Sequence, residues 1–146
     1  MTRPIAILYA TVSGNAETLA ELARERLHAA GQDAAVHNVA DFPATRLGEF
    51  DTALVIASTW GEGAPPPDAA KFCADLQGDA EWRLPRLRFA VFALGSSTYR
   101  EFCGCGRQID EDLARRGANR LLPCVEADVK FKARFTAWLD QLEAGL

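Results

Sequence analysis

Three nearly uninterrupted apolar segments, Ile5 to Ala10, Thr52 to Ala57 and Phe89 to Leu94, constrain this chain more than any other feature. A strand buried on both faces reads this way because neither face meets water, whereas a strand with one wet face alternates. Ala34 to Val39 reads as a further strand, and helical patterns fall between the strands. From Ala16 to Ala30 the apolar positions Leu19, Leu22, Ala23 and Leu27 share one face while Glu21, Arg24 and Glu25 share another, and Gly31 ends the run as a left-handed cap does.

A second helix is expected from about Pro67 to Leu76, entered by prolines whose missing amide is harmless there. A third is expected from Cys105 to Arg116, with Ile109 and Leu113 four apart, Arg115 and Arg116 in the last turn, and Gly117 after it. Leu121 to Val125 reads as a short fifth strand, and Phe131, Phe135, Trp138, Leu139 and Leu142 mark the apolar face of a closing helix. Between Asp41 and Phe50, with Pro43 and Gly48, the pattern supports only a helical turn. Strands alternating with helices imply an α/β fold, a three-layer α/β/α sandwich. A length of 146 residues fits one domain spanning 1–146, with a five-stranded parallel sheet in the order 2-1-3-4-5 rather than a six-stranded one. A ligand then belongs at the carboxyl ends of strands one, three and four, beside the point where the strand order reverses.

The formal net charge of −4 argues against non-specific binding to nucleic acid or to an anionic membrane, and favours a basic partner where charge steers association. No apolar run reaches membrane-spanning length, so no membrane insertion is expected, and MTRPIAILYA lacks the pattern of a secretory signal. A cytoplasmic location is the expectation. The four cysteines, Cys73, Cys103, Cys105 and Cys124, are irregularly spaced and read as free thiols. The Cys103-Gly104-Cys105 pair is C-x-C rather than C-x-x-C, and neither His28 nor His37 stands at a ligand-like spacing from it, so no metal site is expected.

All three strand ends carry unusual sequence. The first continues as Thr11, Val12, Ser13, Gly14, Asn15 and Ala16. Here hydroxyls, a side-chain amide and the unpaired amides of a starting helix make a neutral cradle for an anion. A P-loop lysine and the extra glycines of a dinucleotide fingerprint are both missing, which suits one terminal phosphate; an ordinary helix cap by Ser13 or Asn15 is the alternative. The second segment runs from Ser58 through Thr59, Trp60 and Gly61 to Asp68, and the third from Leu94 through Gly95, Ser96 and Tyr99 to Phe102 and Cys103. Each places one large aromatic, Trp60 or Tyr99, among loop-forming residues, where two rings can sandwich a flat heteroaromatic system. Phe102 also reads as core packing beneath its loop. A phosphate at one end and a stacked planar ring at the other describe FMN.

With these residues in view, the sequence resembles flavodoxins, and most closely the FMN-binding domain of diflavin reductases of the sulfite reductase flavoprotein type and related stand-alone flavodoxin-like proteins. The resemblance runs from about Ile5 to Leu142 and rests on T-x-[ST]-G-N-A at Thr11 to Ala16, S-T-x-G-E-G-x-P-P at Ser58 to Pro66, and L-G-x-x-x-Y-x-x-F-C at Leu94 to Cys103. It implies an FMN protein that passes electrons singly. Thr11 to Ala16 are implied to hold the phosphate, Trp60 and Tyr99 to flank the isoalloxazine, and Leu94 to Cys103 to give backbone hydrogen bonds to its pyrimidine edge. The Gly61 peptide is implied to turn its carbonyl toward the flavin N5 on one-electron reduction, a movement glycine permits.

The sequence departs from the family at Ser96, where many diflavin reductases have Asp or Asn, at Val12, which replaces a polar residue, and at Trp60, which is closer to flavodoxins proper. The resemblance further implies electron delivery from an NADPH-dependent flavoprotein reductase and passage to an acceptor redox enzyme, which docks on an acidic face formed by Glu62, Asp68, Glu101, Glu126 and Asp128; a solvated charged surface is the alternative reading of these acids. A chain that stops at Leu146 without an NADPH- or FAD-binding module is expected to act as a carrier with no turnover of its own. The alternative is an FMN domain or subunit of a larger diflavin oxidoreductase. A response-regulator receiver is disfavoured because Ala10-Thr11 and Ser58-Thr59 stand where its acidic residues belong, and a phosphatase because the first loop lacks Cys and Arg.

Overall fold

A computed structural model describes residues 4–10, 14–58, 69–78, 81–94, 104–127 and 131–145. The elements run β1 (Ile5–Ala10), α1 (Asn15–Ala29), β2 (Ala34–Asn38), β3 (Thr52–Ser58), α2 (Ala70–Gln77), β4 (Arg88–Leu94), α3 (Gly104–Arg115), β5 (Asn119–Arg120), β6 (Val125–Ala127) and α4 (Lys132–Gly145). All pairings are parallel, and the sheet has the expected order β2-β1-β3-β4-β5, with β6 also beside β4. Every residue of β3 is buried, as its unbroken apolar run requires.

Side chains alternate between two cores. Ala6, Leu8 and Ala10 of β1 join the cluster that includes Phe72 of α2, Ile109 and Leu113 of α3, and Phe42 and Leu47 from the connection after β2. Ile5 and Ile7 face the opposite cluster, with Leu19 and Leu27 of α1 and Phe135 and Trp138 of α4. The sheet is thus covered by α1 and α4 on one side and by α2, α3 and the 39–50 connection on the other. In that connection, short 3-10 turns at Val39–Asp41 and Ala44–Glu49 stand where the sequence supports only a helical turn. Arg26 of α1 pairs with Asp140 and Glu143 of α4, tying the two helices of one layer together.

The expected fifth strand is broken. Asn119–Arg120 pairs with Arg88 and Phe89, Val125–Ala127 pairs with Phe92 to Leu94, and beyond Leu121, whose amide still donates to the Phe89 carbonyl at 2.7 Å, the residues between them leave the ladder. Pro123 has no amide to give to the ladder, which accounts for the interruption. The second helix begins at Ala70 rather than Pro67, which lies outside the described residues.

Contact between α3 and the sheet is very close. A Cβ on Gly106 would stand 2.3 Å from the Cβ of Ala93 and 2.9 Å from its Cα, so only glycine lets this helix lie against β4 at that depth.

Candidate functional site

Register places the carboxyl ends of the three central strands side by side. Ala10 of β1 is level with Ala57 of β3, and Ser58 pairs with Leu94 of β4. Ser58 and Leu94 are buried, at 9% and 6% exposure, so the outermost layer of the sheet here is closed below and faces the strand ends above. The order β2-β1-β3 reverses direction at this point, where open α/β sheets place their ligands.

At the end of β1, α1 starts with Gly14 as its cap in a left-handed conformation, φ 89°, so the cap position offers no side chain to accept from the first-turn amides. The reading of Asn15 as the cap is therefore corrected: Asn15 is the first helical residue and is exposed, and a left-handed backbone at the cap position is why glycine precedes it. Ala16 is fully buried, so its contribution to a ligand is restricted to the backbone. The Gly14 carbonyl accepts from the Thr18 amide at 3.0 Å and from its hydroxyl at 3.1 Å, which secures the first turn.

Sequence reasoning missed Tyr9. Its hydroxyl donates to Glu17 Oε2 at 3.0 Å, and burial, followed by that hydrogen bond, raises its pKa above the ordinary 10.0. The phenol thus engages the carboxylate of the first turn of α1. The available signal is a tyrosine one residue before the end of an otherwise apolar strand.

Of the sequence-derived site residues, Gly14, Asn15, Ala16, Ser58 and Leu94 are brought to the edge just described. Thr11, Val12, Ser13, Thr59, Trp60, Gly61, Gly95, Ser96, Tyr99, Phe102 and Cys103 lie outside the described residues, as do the acidic Glu62, Asp68, Glu101 and Asp128. Glu126, on β6, is partly exposed and forms an ion pair with Arg107 of α3 at 3.1 Å, so it is not an isolated carboxylate. Among the described residues no group of three or more His, Cys, Asp or Glu is placed to hold a metal ion. No described helix is long and apolar enough to cross a membrane.

What this edge offers chemically is a set of helix-start amides, with the Glu17 carboxylate of the same turn engaged by the Tyr9 hydroxyl. Amides at a helix start favour a compact anion through the helix dipole, without a cation. The residues present fit the phosphate end of FMN.

Comparison with known proteins agrees with this geometry. The flavodoxin family model matches residues 7–138. The chain is 35% identical over 146 residues to the sulfite reductase [NADPH] flavoprotein alpha-component of Bacillus subtilis, covering 100% of this chain and 24% of that protein. It is 36% identical over 140 residues to the same component from Neisseria meningitidis serogroup C, covering 96% of this chain and 23% of that protein. The chain thus spans about a quarter of the length of these curated relatives. Among solved structures, a Streptococcus pneumoniae TIGR4 flavodoxin superposes with a TM-score of 0.86 at 26% identity, covering 99% of this chain and 97% of that one. A cysteine-to-serine mutant of a Pseudomonas aeruginosa flavodoxin superposes with a TM-score of 0.85 at 29% identity, covering 99% of both chains. The chain belongs to the flavodoxin family, whose cofactor is FMN and whose work is electron transfer.

Proposed function

We propose that this chain carries electrons one at a time on FMN, from an NADPH-dependent flavoprotein reductase to an acceptor redox enzyme in the cytoplasm. The observation that best supports this reading is the adjacency of Ala10, Ser58 and Leu94 at one sheet edge, each followed in sequence by one of the three flavodoxin-like motifs. FMN, when bound, supplies the redox chemistry; the chain binds it, orients it and sets its surroundings. The amides of the first turn of α1, with the hydroxyls of Thr11 and Ser13, hold the phosphate. Trp60 and Tyr99 flank the ring, and the backbone from Gly95 to Cys103 recognises its pyrimidine edge. No side chain is required as an acid or base.

A basic partner surface approaches the acids near these segments, Glu62, Asp68, Glu101 and Asp128, with Glu126 sharing its charge with Arg107. The visible spectrum of the purified chain tests the cofactor. Flavin absorbance, or quenching of added FMN fluorescence on titration, is the expected result; a colourless preparation that leaves FMN fluorescence unchanged overturns the proposal.

The share of the curated relatives that this chain covers favours a second reading, as the FMN-binding part of a larger diflavin oxidoreductase. A reading frame continuing into an FAD-binding module supports it. NADPH-driven reduction of the isolated chain by a separate reductase at catalytic concentration supports the carrier reading instead.

A further inference from the structure

Cys73 and Cys105 meet inside the protein although they lie far apart in sequence. Cys73 is in the first turn of α2, Cys105 is the second residue of α3, and their side chains hydrogen-bond to each other. Neither is in a disulfide, and both are buried, at 7% and 3% exposure, in the same apolar cluster beneath the sheet. Gly106, the residue after Cys105, seats the start of α3 closely on Ala93 of β4. A buried cysteine is ordinarily inert packing. Two thiols in contact across two helices are a different chemical object, because a disulfide, about 2.05 Å between sulfurs, joins atoms already paired.

We propose that Cys73 and Cys105 are a peroxide-oxidisable dithiol that closes to an intramolecular disulfide between α2 and α3. The roles of the two sulfurs differ. The Cys105 thiol donates to the Cys73 sulfur, which lowers the Cys73 pKa against the opposing effect of burial, while the same bond and then burial raise that of Cys105. Cys73 is therefore the nucleophile and Cys105 the resolving thiol. In the first step the Cys73 thiolate attacks hydrogen peroxide: the O–O bond breaks, an S–O bond forms, sulfur is oxidised by two electrons, and hydroxide leaves and takes up a proton to become water. In the second step Cys105 attacks the resulting sulfenic acid: the S–O bond breaks, the S–S bond forms, and a second water leaves with the Cys105 proton. One dithiol and one peroxide thus give one disulfide and two waters.

The link joins the beginnings of the two helices that directly follow residues 59–68 and 95–103, two of the three motif-bearing segments.

Non-reducing peptide mapping of the full FMN-loaded chain tests this. After treatment with hydrogen peroxide, denaturation in an alkylating reagent and trypsin digestion, the expected product is a cross-link between the peptides Phe72–Arg83 and Glu101–Arg107, with the loss of two alkylatable thiols and their recovery in dithiothreitol. Because Glu101–Arg107 also contains Cys103, the link is expected to persist in Cys103→Ser and to vanish in Cys105→Ser and in Cys73→Ser. Fragmentation of the wild-type cross-link assigns the same sulfur without relying on any variant. Alkylation of both Cys73 and Cys105 after peroxide, a link assigned to Cys103, or only intermolecular disulfides overturns the proposal.

Discussion

The guanidinium of Arg116 lies 3.8 Å from the centroid of the Trp82 ring. It also donates to the carbonyls of Asp75, Leu76, Gly78 and Trp82 at 2.9 to 3.0 Å, from a residue left only 3% exposed. Helix α2 has no basic residue in its own last turn, so Arg116, just past the end of α3, supplies the cation that its terminal carbonyls need. Arg116→Met keeps most of the apolar stem but strands several carbonyls, and is expected to cost about 3 kcal/mol or more in urea unfolding. Arg116→Lys is expected to rescue little, since an ammonium cannot reproduce a planar fork stacked on a ring. A loss below about 1 kcal/mol for both variants refutes the clamp.

Gly106→Ala places a methyl 2.3 Å from the Ala93 Cβ. Overpacking against backbone is expected to cost roughly 1–3 kcal/mol and to lower the thermal midpoint. Ala93→Gly removes the opposing methyl, so the double variant is expected to recover part of that loss. Additive losses in the double-mutant cycle refute the contact.

At Gly14 the obstacle is conformational, since no atom stands within 4 Å of a methyl placed on its Cα and φ is 89°. Gly14→Ala is expected to destabilise the chain by about 1–2 kcal/mol, and Gly14→Asn by less because Asn visits the left-handed region more readily. Chemical denaturation of both variants checks the order, which steric crowding would not produce.

Trp60→Ala and Tyr99→Ala are each expected to weaken FMN binding by about five- to tenfold, the equivalent of one stacking contact of about 1 kcal/mol beyond area burial. Fluorescence titration measures it. Unchanged affinity in both variants refutes the aromatic sandwich while leaving the phosphate end of the proposal intact.

His37 makes the fold sensitive to acid. Burial first, and then the charge of Arg46, hold its pKa below the ordinary 6.5, and its ring packs 5.1 Å from that of Phe42 and 6.2 Å from that of Phe50. The folded chain therefore binds this proton less readily than the unfolded chain does. Its stabilising contribution is complete above the unfolded pKa of about 6.5 and is lost as pH falls from there toward the lower folded value. His37→Gln is expected to flatten the fall in thermal midpoint between roughly pH 7.5 and 5.5. An unchanged slope refutes the assignment.

The apolar runs locate β1, β3 and β4 to within a residue or so, because strands covered on both faces leave no alternation to misread. With the α/β alternation they also anticipate which strand ends stand together, as the register shows. Leu121 to Val125 looked like one strand because its residues are mostly apolar, but proline at position 123 outweighs hydropathy, and Leu121, Leu122 and Val125 are only partly buried. Asn15 looked like a cap by residue type alone, whereas the backbone turn falls one residue earlier, on Gly14. The Arg107 to Glu126 pair and the Cys73 to Cys105 contact have no local signal. Each depends on the packing of two elements that periodicity describes separately.

The break between β5 and β6 has a colloidal consequence. An intact edge strand offers a continuous row of backbone donors and acceptors to any extended segment of another chain, which is how sheets recruit one another into aggregates. Here that edge is divided into pieces of two and three residues, separated by a stretch that contains Pro123. A flavodoxin-like sheet edged this way gives an incoming strand too short a template on either piece, so the same proline that spoils the fifth strand guards the chain against edge-to-edge association.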